Sequence, residues 1–236
     1  MNDPLILIPG LMSDARLFGA QIIDLSRSRA VMVALPHPGA TIEEISAHVL
    51  ASAPARFALA GLGLGAHVAL DLMRRDMARV SRVALLSADP LGESPDAAAA
   101  REKRMILART GRLSQAMAED MPSRALADSD RADEIMTLVE DMAFALGPDV
   151  FVAQSRALQR RRDQQKTLRR AQIPALVLAG AKDSLVPLRR QAFMAELMPS
   201  ARVQIIENAG HLLPLEQPDA VTRALAMFFD GPLVLS

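Results

Sequence analysis

The sequence predicts an α/β protein built on a mostly parallel sheet of about six strands, with helices on both faces. Short aliphatic runs without polar alternation, typical of strands buried on both faces, alternate with amphipathic helical stretches. A chain of 236 residues, 50% of them hydrophobic, is long enough to bury one sizeable core. Because a helical stretch follows each strand, we expect right-handed crossovers between parallel strands.

Six apolar runs are predicted to form the strands. The first run, Leu5 to Ile8, is entirely aliphatic and ends at Pro9 and Gly10. The other strands are predicted at residues 30–35, 57–60, 80–87, 174–179 and 203–206. Before the third strand, Thr41 is expected to cap a helix, with Glu44 as its capping-box partner.

The alternation of strands and helices stops after the fourth strand and resumes before the fifth. The intervening residues contain only helical stretches, predicted at 96–110, 112–121, 131–146 and 149–168. We therefore predict a core formed by residues 1–89 and 173–236, interrupted by an all-helical insertion at residues 90–172.

Composition excludes several classes of function. The absence of cysteine excludes disulfides, thiolate metal sites and a cysteine nucleophile. A formal net charge of zero and an aromatic content of 3% argue against a nucleic-acid partner. No apolar stretch approaches the ~20 residues of a membrane helix, and the run from Leu5 to Leu11 is too short for a signal sequence. We expect a cytoplasmic protein with a small-molecule partner and no membrane partner.

The third strand leads into glycines at alternate positions, Gly61, Gly63 and Gly65, and then directly into a helix. Such a turn can bind a dinucleotide, and Gly61-x-Gly63-x-x-Ala66 matches that fingerprint, with Asp89 as a ribose partner. The fingerprint normally follows the first strand of its unit, however, whereas here it follows the third. The same strand–turn–helix geometry can instead position a catalytic nucleophile, and that function needs a side chain at position 63.

Three further segments are predicted to lie at the same edge of the sheet. Asp183 follows the fifth strand, His211 follows the sixth, and Pro9-Gly10-Leu11 leaves the first. Since the carboxyl ends of parallel strands share one edge, these segments should converge on one crevice. An acid, an imidazole and a turn with free backbone amides are the parts that acyl-transfer catalysis requires.

On these motifs, the sequence resembles the α/β-hydrolase superfamily over essentially its whole length. It is most similar to the small members that cleave esters, enol-lactones and related carbonyl compounds, and residues 90–172 resemble that family's helical cap. The matching motifs are Ile8-Pro9-Gly10-Leu11, Gly61-Leu62-Gly63-Leu64-Gly65, Gly180-Ala181-Lys182-Asp183 before Val186-Pro187, and Gly210-His211 before Leu215-Glu216-Gln217-Pro218.

The resemblance implies an α/β-hydrolase fold and assigns roles to the site residues. Asp183 would be the acid and His211 the base, while the backbone amides of Leu11 and Leu64 would form the oxyanion hole. Asp89 is a second candidate acid, because some branches of the family place the acid after the preceding strand. We expect no cofactor and no metal.

The sequence departs from the family at the nucleophile. The central residue of the turn should be serine, less often aspartate or cysteine, and here it is Gly63, which has no side chain to attack a carbonyl. His67, one helical turn further on, is interpreted as a residue of the helix face. Ser87 and Ser184 are expected near the crevice, but neither occupies the central position of the turn.

Several functions therefore stay open for the predicted pocket, which includes Gly10 and Leu62. The chain is an inactivated hydrolase, a hydrolase in which an acid–histidine dyad activates water, a pseudoenzyme that binds an acyl ligand, or a dinucleotide-binding protein. Residues 156–170 contain seven basic residues against Asp163. That segment is either a solvated helix face or a basic rim that contacts an anionic substrate.

Overall fold

The computed structural model describes residues 2–231, and these residues form an all-parallel sheet of six strands. The strand order is β2-β1-β3-β4-β5-β6. The strands are β1 (Leu5–Ile8), β2 (Val31–Val33), β3 (Phe57–Leu62), β4 (Val80–Leu86), β5 (Ala175–Gly180) and β6 (Ala201–Ile206). The predicted α/β fold with a parallel sheet is thus confirmed. The outermost ends of the predicted core, residue 1 and residues 232–236, lie outside the described residues.

Helices follow every strand, and five of them, α4 to α8, lie between β4 and β5 in the chain. No helix within residues 2–231 combines the length and the apolar character needed to cross a membrane. The helices are α1 (Gly19–Leu25), α2 (Ile42–Ser52), α3 (Leu64–Asp76), α4 (Pro95–Arg109), α5 (Leu113–Asp120), α6 (Ala132–Leu146), α7 (Pro148–Gln159), α8 (Gln165–Arg170), α9 (Leu188–Glu196), α10 (Leu213–Glu216) and α11 (Pro218–Asp230), with short 3₁₀ turns at Ala15–Phe18, Met77–Arg79 and Ser123–Ala125.

One helix prediction is wrong: residues 149–168 form two helices, α7 and α8, rather than one. The chain between them is tied to the segment that follows β4. The backbone N–H of Gln164 donates to the carbonyl of Pro90 at 2.8 Å, and Nε of Arg161 donates to that of Leu91 at 3.0 Å. These contacts between residues distant in the sequence interrupt the helix, and a local pattern does not reveal them.

The cap of α2 was predicted correctly, with one difference in detail. The backbone N–H of Glu44 donates to Oγ1 of Thr41 at 3.1 Å, as in a capping box. The Glu44 carboxylate, however, accepts from the backbone N–H of Ala40 at 2.8 Å rather than from that of Thr41. The first bond satisfies an N–H group in the first turn of α2, which has no partner within the helix, and the second satisfies the N–H group of the residue just before the cap.

The sheet separates two hydrophobic clusters, and β1 shows why its residues are aliphatic at every position. Leu5 and Leu7 belong to the cluster on one face, while Ile6 and Ile8 belong to the cluster on the other. Successive side chains of a strand point to opposite faces, so a strand covered on both faces needs apolar residues throughout. All four side chains are fully buried, and each contributes roughly 1.5–3 kcal/mol to folding.

Close packing at the end of β3 brings α3 against β1. Ile8 at the end of β1 pairs with Gly61 at the end of β3. A Cβ on Gly65 would lie 1.9 Å from the carbonyl oxygen of Ile8, and one on Gly61 would lie 2.3 Å from that of Gly65. Because neither position has room for a side chain, these two glycines allow α3 to begin directly at the sheet edge.

Candidate active site

The loops at the carboxyl ends of the strands surround a cavity of about 400 Å³. Asp183 lies behind the cavity wall, with its carboxylate fully buried against His211. The structure therefore brings the predicted site residues together at one edge of the sheet. Those that line the cavity are Gly10, Leu11, Leu62, Gly63, Leu64 and His211.

Gly63 lies at the turn between β3 and α3, in a backbone conformation that L-amino acids rarely adopt. Its φ is 53° and its ψ is −112°, a combination that costs a residue with a side chain about 1–3 kcal/mol. A Cβ on Gly63 would lie 3.6 Å from Nε2 of His211, with no other heavy atom within 4 Å. Packing therefore requires glycine at positions 61 and 65, but it does not require glycine at position 63.

Asp183 and His211 form a hydrogen-bonded pair. Nδ1 of His211 lies 3.0 Å and 3.2 Å from the two carboxylate oxygens of Asp183. The carboxylate is fixed in turn by the backbone N–H groups of Leu185 and Val186, both at 2.9 Å, and by the side-chain amide of Gln191 at 3.3 Å. This arrangement places the proton of the imidazole on Nδ1 and leaves Nε2, which faces Gly63, as the basic nitrogen.

The loop that contains His211 is fastened to the helical insertion. The backbone N–H of His211 donates to the carbonyl of Ala125 at 2.8 Å. The carboxylate of Glu216 accepts from three backbone N–H groups at 2.7, 2.7 and 2.8 Å, those of Ala127, Gly210 and Leu212. Burial raises the pKa of Glu216, and the three N–H donors act against that rise. The position of the imidazole thus depends on contacts between α10 and residues 125–127.

The two predicted oxyanion-hole amides both border the cavity. The N–H groups of Leu11 and Leu64 donate to no other group within residues 2–231. Leu64 is the first residue of α3, where backbone N–H groups have no partner within the helix and the helix dipole favours negative charge. Two free donors at the cavity wall can bind a developing oxyanion.

A buried glutamine fixes the loop after β1. Met12, the residue after Leu11, has a positive φ of 51°. Its N–H donates to Oε1 of Gln154 at 2.8 Å, and Nε2 of Gln154 donates to the carbonyl of Pro36 at 3.2 Å. Gln154 is fully buried on α7. The insertion therefore determines the conformation of the loop that contains the Leu11 amide.

Comparison with known proteins identifies the family. The sequence profile of the alpha/beta hydrolase family matches residues 5–224. The chain belongs to this family. A curated relative, N-formylmaleamate deformylase of Pseudomonas putida, is 36% identical over 61 residues, which are 26% of this chain and 23% of the relative. The chain spans between 22% and 63% of the length of the curated relatives that it matches.

Solved structures show the same α/β-hydrolase fold. A thermophilic esterase from Thermogutta terrifontis, with malate bound, superposes with a TM-score of 0.87 at 23% identity, covering 99% of this chain and 92% of the other. The enol-lactonase from Burkholderia xenovorans LB400 superposes with a TM-score of 0.86 at 23% identity, covering 98% and 92%. The fold predicted from the sequence motifs is thus confirmed.

Ser87 and Ser184, the two serines expected near the crevice, lie outside the turn between β3 and α3 that contains Gly63. Ser87 directly follows β4 and has a positive φ of 48°, and its hydroxyl donates to the carbonyl of His211 at 2.8 Å. Ser184 donates to the carbonyl of Arg124 at 3.1 Å and does not line the cavity. Ser87 is thus better placed to support the histidine loop than to attack a carbonyl.

Asp89, the second candidate acid, lines the cavity but is engaged elsewhere. One carboxylate oxygen accepts from the N–H of Leu91 at 2.8 Å, and the other pairs with Arg190 at 3.4 Å. Among the described residues it makes no hydrogen bond to His211, which pairs with Asp183 instead. The geometry favours Asp183 as the acid.

Only one of the seven basic residues in segment 156–170 lines the cavity, namely Arg161. Others form ion pairs with carboxylates elsewhere on the protein. Arg156 pairs with Glu102 at 3.1 Å, and Arg162 pairs with Glu43 at 2.7 Å. The segment as a whole is therefore not a basic rim, although Arg161 does reach the site.

His67 lies on α3, as the sequence indicated, but its ring borders the cavity. Burial, followed by the nearby guanidinium groups of Arg161 and Arg101, holds the pKa of His67 well below its ordinary value of 6.5. The imidazole is therefore neutral at pH 7. A neutral ring can donate and accept hydrogen bonds in the cavity without adding charge.

The depressed pKa of His67 predicts a specific loss of stability in mild acid. Below about pH 6.5 the unfolded chain protonates His67 and the folded chain does not, so the free energy of unfolding falls as the pH decreases, by up to about 1.4 kcal/mol per pH unit. Urea denaturation between about pH 5 and pH 7 measures this slope. The variant His67→Gln should show a shallower slope, and identical slopes would contradict the prediction. His48→Gln, which changes an exposed histidine, is the control.

Proposed function

We propose that this chain binds a small carboxylic ester or lactone and hydrolyses it slowly, with water as the nucleophile and His211 as the general base. The observation that supports this most directly is the geometry of Nε2 of His211. It lies 3.6 Å from where a Cβ of residue 63 would be, and its partner nitrogen is bonded to the buried Asp183. A base in this position faces the cavity that would hold the acyl group.

Each step of the proposed reaction uses a group described above. Nε2 of His211 accepts a proton from water while the water oxygen bonds to the carbonyl carbon. The carbonyl oxygen becomes an oxyanion and accepts hydrogen bonds from the N–H groups of Leu11 and Leu64. The tetrahedral intermediate then expels the alcohol, which takes the proton back from His211, and a carboxylic acid remains. Asp183 stabilises the imidazolium that forms between the two transfers.

The expected rate is low because no covalent acyl intermediate can form. When a hydrolase of this type loses its nucleophile, the oxyanion hole and substrate binding still leave roughly 10³–10⁴-fold acceleration over water. The conformation at Gly63 supports a site derived from such a hydrolase. The backbone retains the strained geometry that a nucleophile would occupy, although glycine itself experiences little strain there.

We further propose that residues 90–172 act as a cap over the core of residues 1–89 and 173–236. Helices α4, α5, α6 and α7 all contribute side chains to the cavity wall. The apolar contributions include Met117 from α5, Val139 from α6 and Leu158 from α7. An acyl group in the cavity would therefore contact both parts of the chain, which restricts the size of the substrate.

The second candidate function is binding of an acyl ligand without turnover, and the absence of a side chain at Gly63 favours it. The dinucleotide alternative has weaker support. Gly61 and Gly65 are explained by close packing of α3 on the sheet, and the Asp89 carboxylate already bonds Leu91 and Arg190. Neither feature requires a phosphate or a ribose.

The variant His211→Gln distinguishes hydrolysis from binding alone. The unmodified protein should hydrolyse p-nitrophenyl acetate and butyrate above the buffer rate, and His211→Gln should reduce that rate to background, a loss of about 10²-fold or more in the enzymatic rate. His48→Gln, on the exposed face of α2, should retain the activity. If turnover is absent in the unmodified protein while it binds the ester's acid product, binding without catalysis is the function. Turnover that His211→Gln leaves unchanged would contradict the proposed mechanism.

A further inference from the structure

Part of the cavity wall is formed by a cluster of buried charges on the insertion and the segment after β4. We call this group of side chains the arginine cluster. It consists of the guanidinium groups of Arg101, Arg104 and Arg161 and the carboxylates of Glu93 and Asp120. The side chains are only 6–16% exposed. With both acids ionised, the cluster has a net charge of +1, and the nearby Asp89 carboxylate, which also acts on Arg161, pairs with Arg190 outside the cluster.

The ion pairs within the cluster are shared rather than one-to-one. Arg101 lies 3.4 Å from Glu93 and 3.2 Å from Asp120. Arg161 binds the same oxygen of Glu93, and Arg104 lies 3.1 Å from the same oxygen of Asp120. Since each acid serves two arginines, the guanidinium donors outnumber the acceptors that the cluster supplies.

Two buried donors in the cluster, Nε of Arg101 and Nε of Arg104, make no hydrogen bond within residues 2–231, although Nε of Arg104 lies 3.1 Å from the Asp120 carboxylate. Nε of Arg101 is buried and unbonded, and the residue as a whole is 9% exposed. A buried donor without an acceptor, and a buried charge without its counterion, both cost free energy. An anion bound in the cavity would supply acceptor oxygens and a counterion to the arginine side chains that line it.

We propose that the arginine cluster binds a carboxylate group of the ligand, so that the compound accepted at the site is an acyl compound with a second, anionic end. The acyl part of this assignment rests on the proposed function, whereas the carboxylate part rests on the cluster alone. A planar carboxylate matches the fork geometry of a guanidinium. It also carries a single negative charge, equal to the excess in the cluster, whereas a phosphate ester carries about −1.5 to −2 and would overcompensate it.

His67 fits the same assignment. Burial, and after it the charges of Arg161 and Arg101, lower its pKa, so His67 lines the cavity as a neutral group rather than as another cation. A bound carboxylate would offset the two guanidinium charges. The pKa of His67 should therefore rise on binding, which gives a spectroscopic signature independent of activity.

The test compares ligands that differ only in charge. Titration calorimetry on the unmodified protein would use malonamate, succinamate and glutaramate against the corresponding neutral diamides. We expect one charged member or more to bind about tenfold tighter than its neutral counterpart. The preference should be lost in Arg101→Gln and retained in Arg109→Gln, which changes an exposed arginine of the same helix. Equal affinity for charged and neutral ligands at all three lengths would overturn the proposal.

Two measurements keep the test decisive whatever happens to folding or turnover. If Arg101→Gln fails to fold, NMR titration of His67 in the unmodified protein replaces it, with the His67 signal assigned by comparison with His67→Gln. We expect the pKa of His67 to be higher with the charged ligand and unchanged with the diamide. A pKa that neither ligand changes would overturn the proposal. Hydrolysis of neutral p-nitrophenyl esters is followed separately. A charge preference without any hydrolysis supports the carboxylate site and removes the proposed hydrolytic function. Hydrolysis without a charge preference supports the proposed hydrolytic function and removes the carboxylate site.

Discussion

Replacing Gly63 by serine is expected to raise kcat for p-nitrophenyl esters by on the order of 10³-fold. A Cβ at this position lies 3.6 Å from Nε2 of His211, with no other heavy atom within 4 Å, so the hydroxyl has space beside the base. The base, its buried acid and two free amides are already in place. The substitution therefore supplies the nucleophilic side chain that the proposed catalytic group does not have. Stopped-flow release of p-nitrophenol, with a burst as the acyl-enzyme accumulates, would measure the gain.

The matched control is Gly63→Ala. Alanine imposes the same side-chain strain at a φ of 53° but provides no hydroxyl. Both variants should lose about 1–3 kcal/mol of stability relative to the unmodified protein, and only the serine variant should gain activity. A folded Gly63→Ser protein that hydrolyses no faster than Gly63→Ala would contradict the assignment of position 63 as the nucleophile position.

The three glycines of the turn differ in the space available for a side chain. Gly61 and Gly65 contact backbone atoms so closely that any Cβ would collide with the sheet or with α3. Gly63 faces the cavity, and its backbone conformation is the only feature that favours glycine. Close packing therefore requires glycine at positions 61 and 65, whereas position 63 has room for the side chain that the proposed chemistry needs.

The sequence predicted the sheet and the positions of Asp183 and His211 because those features depend on local patterns. A strand buried on both faces is aliphatic at every position, as β1 is. A residue that follows such a strand is placed at the carboxyl edge by topology alone. The site loops therefore followed from strand assignment, without knowledge of any long-range contact.

The features that the sequence did not predict depend on contacts between distant segments. Gln154 is a buried glutamine on a helix face, and only its bonds to Met12 and Pro36 show that it fixes the loop after β1. The break between α7 and α8 follows from contacts with Pro90 and Leu91. The charge count of segment 156–170 was also uninformative, because Arg161 reaches the cavity while its neighbours pair elsewhere. Helical periodicity predicts which face of a helix is buried, but it does not predict which group a polar side chain on that helix will bond.

In the Gly63→Ser background, Asp183→Asn is expected to lower kcat by about 10³–10⁴-fold with little change in fold. Asparagine can still accept from the N–H groups of Leu185 and Val186, which bond the carboxylate at 2.9 Å. Its amide group would donate toward Nδ1 of His211, so the ring proton would move to Nε2, which could then no longer take the serine proton. The measurement is kcat as a function of pH, with folding checked by thermal unfolding.

Asp89→Asn in the same background provides the comparison that decides which carboxylate is the acid. Asp89 lines the cavity but bonds Leu91 and Arg190 rather than His211, so its substitution should lower kcat far less than Asp183→Asn does. A greater loss in Asp89→Asn would assign the acid to the end of β4 instead. The two variants differ in one respect that matters for catalysis. Asp183 determines which nitrogen of His211 is protonated, whereas Asp89 makes no hydrogen bond to that ring among residues 2–231.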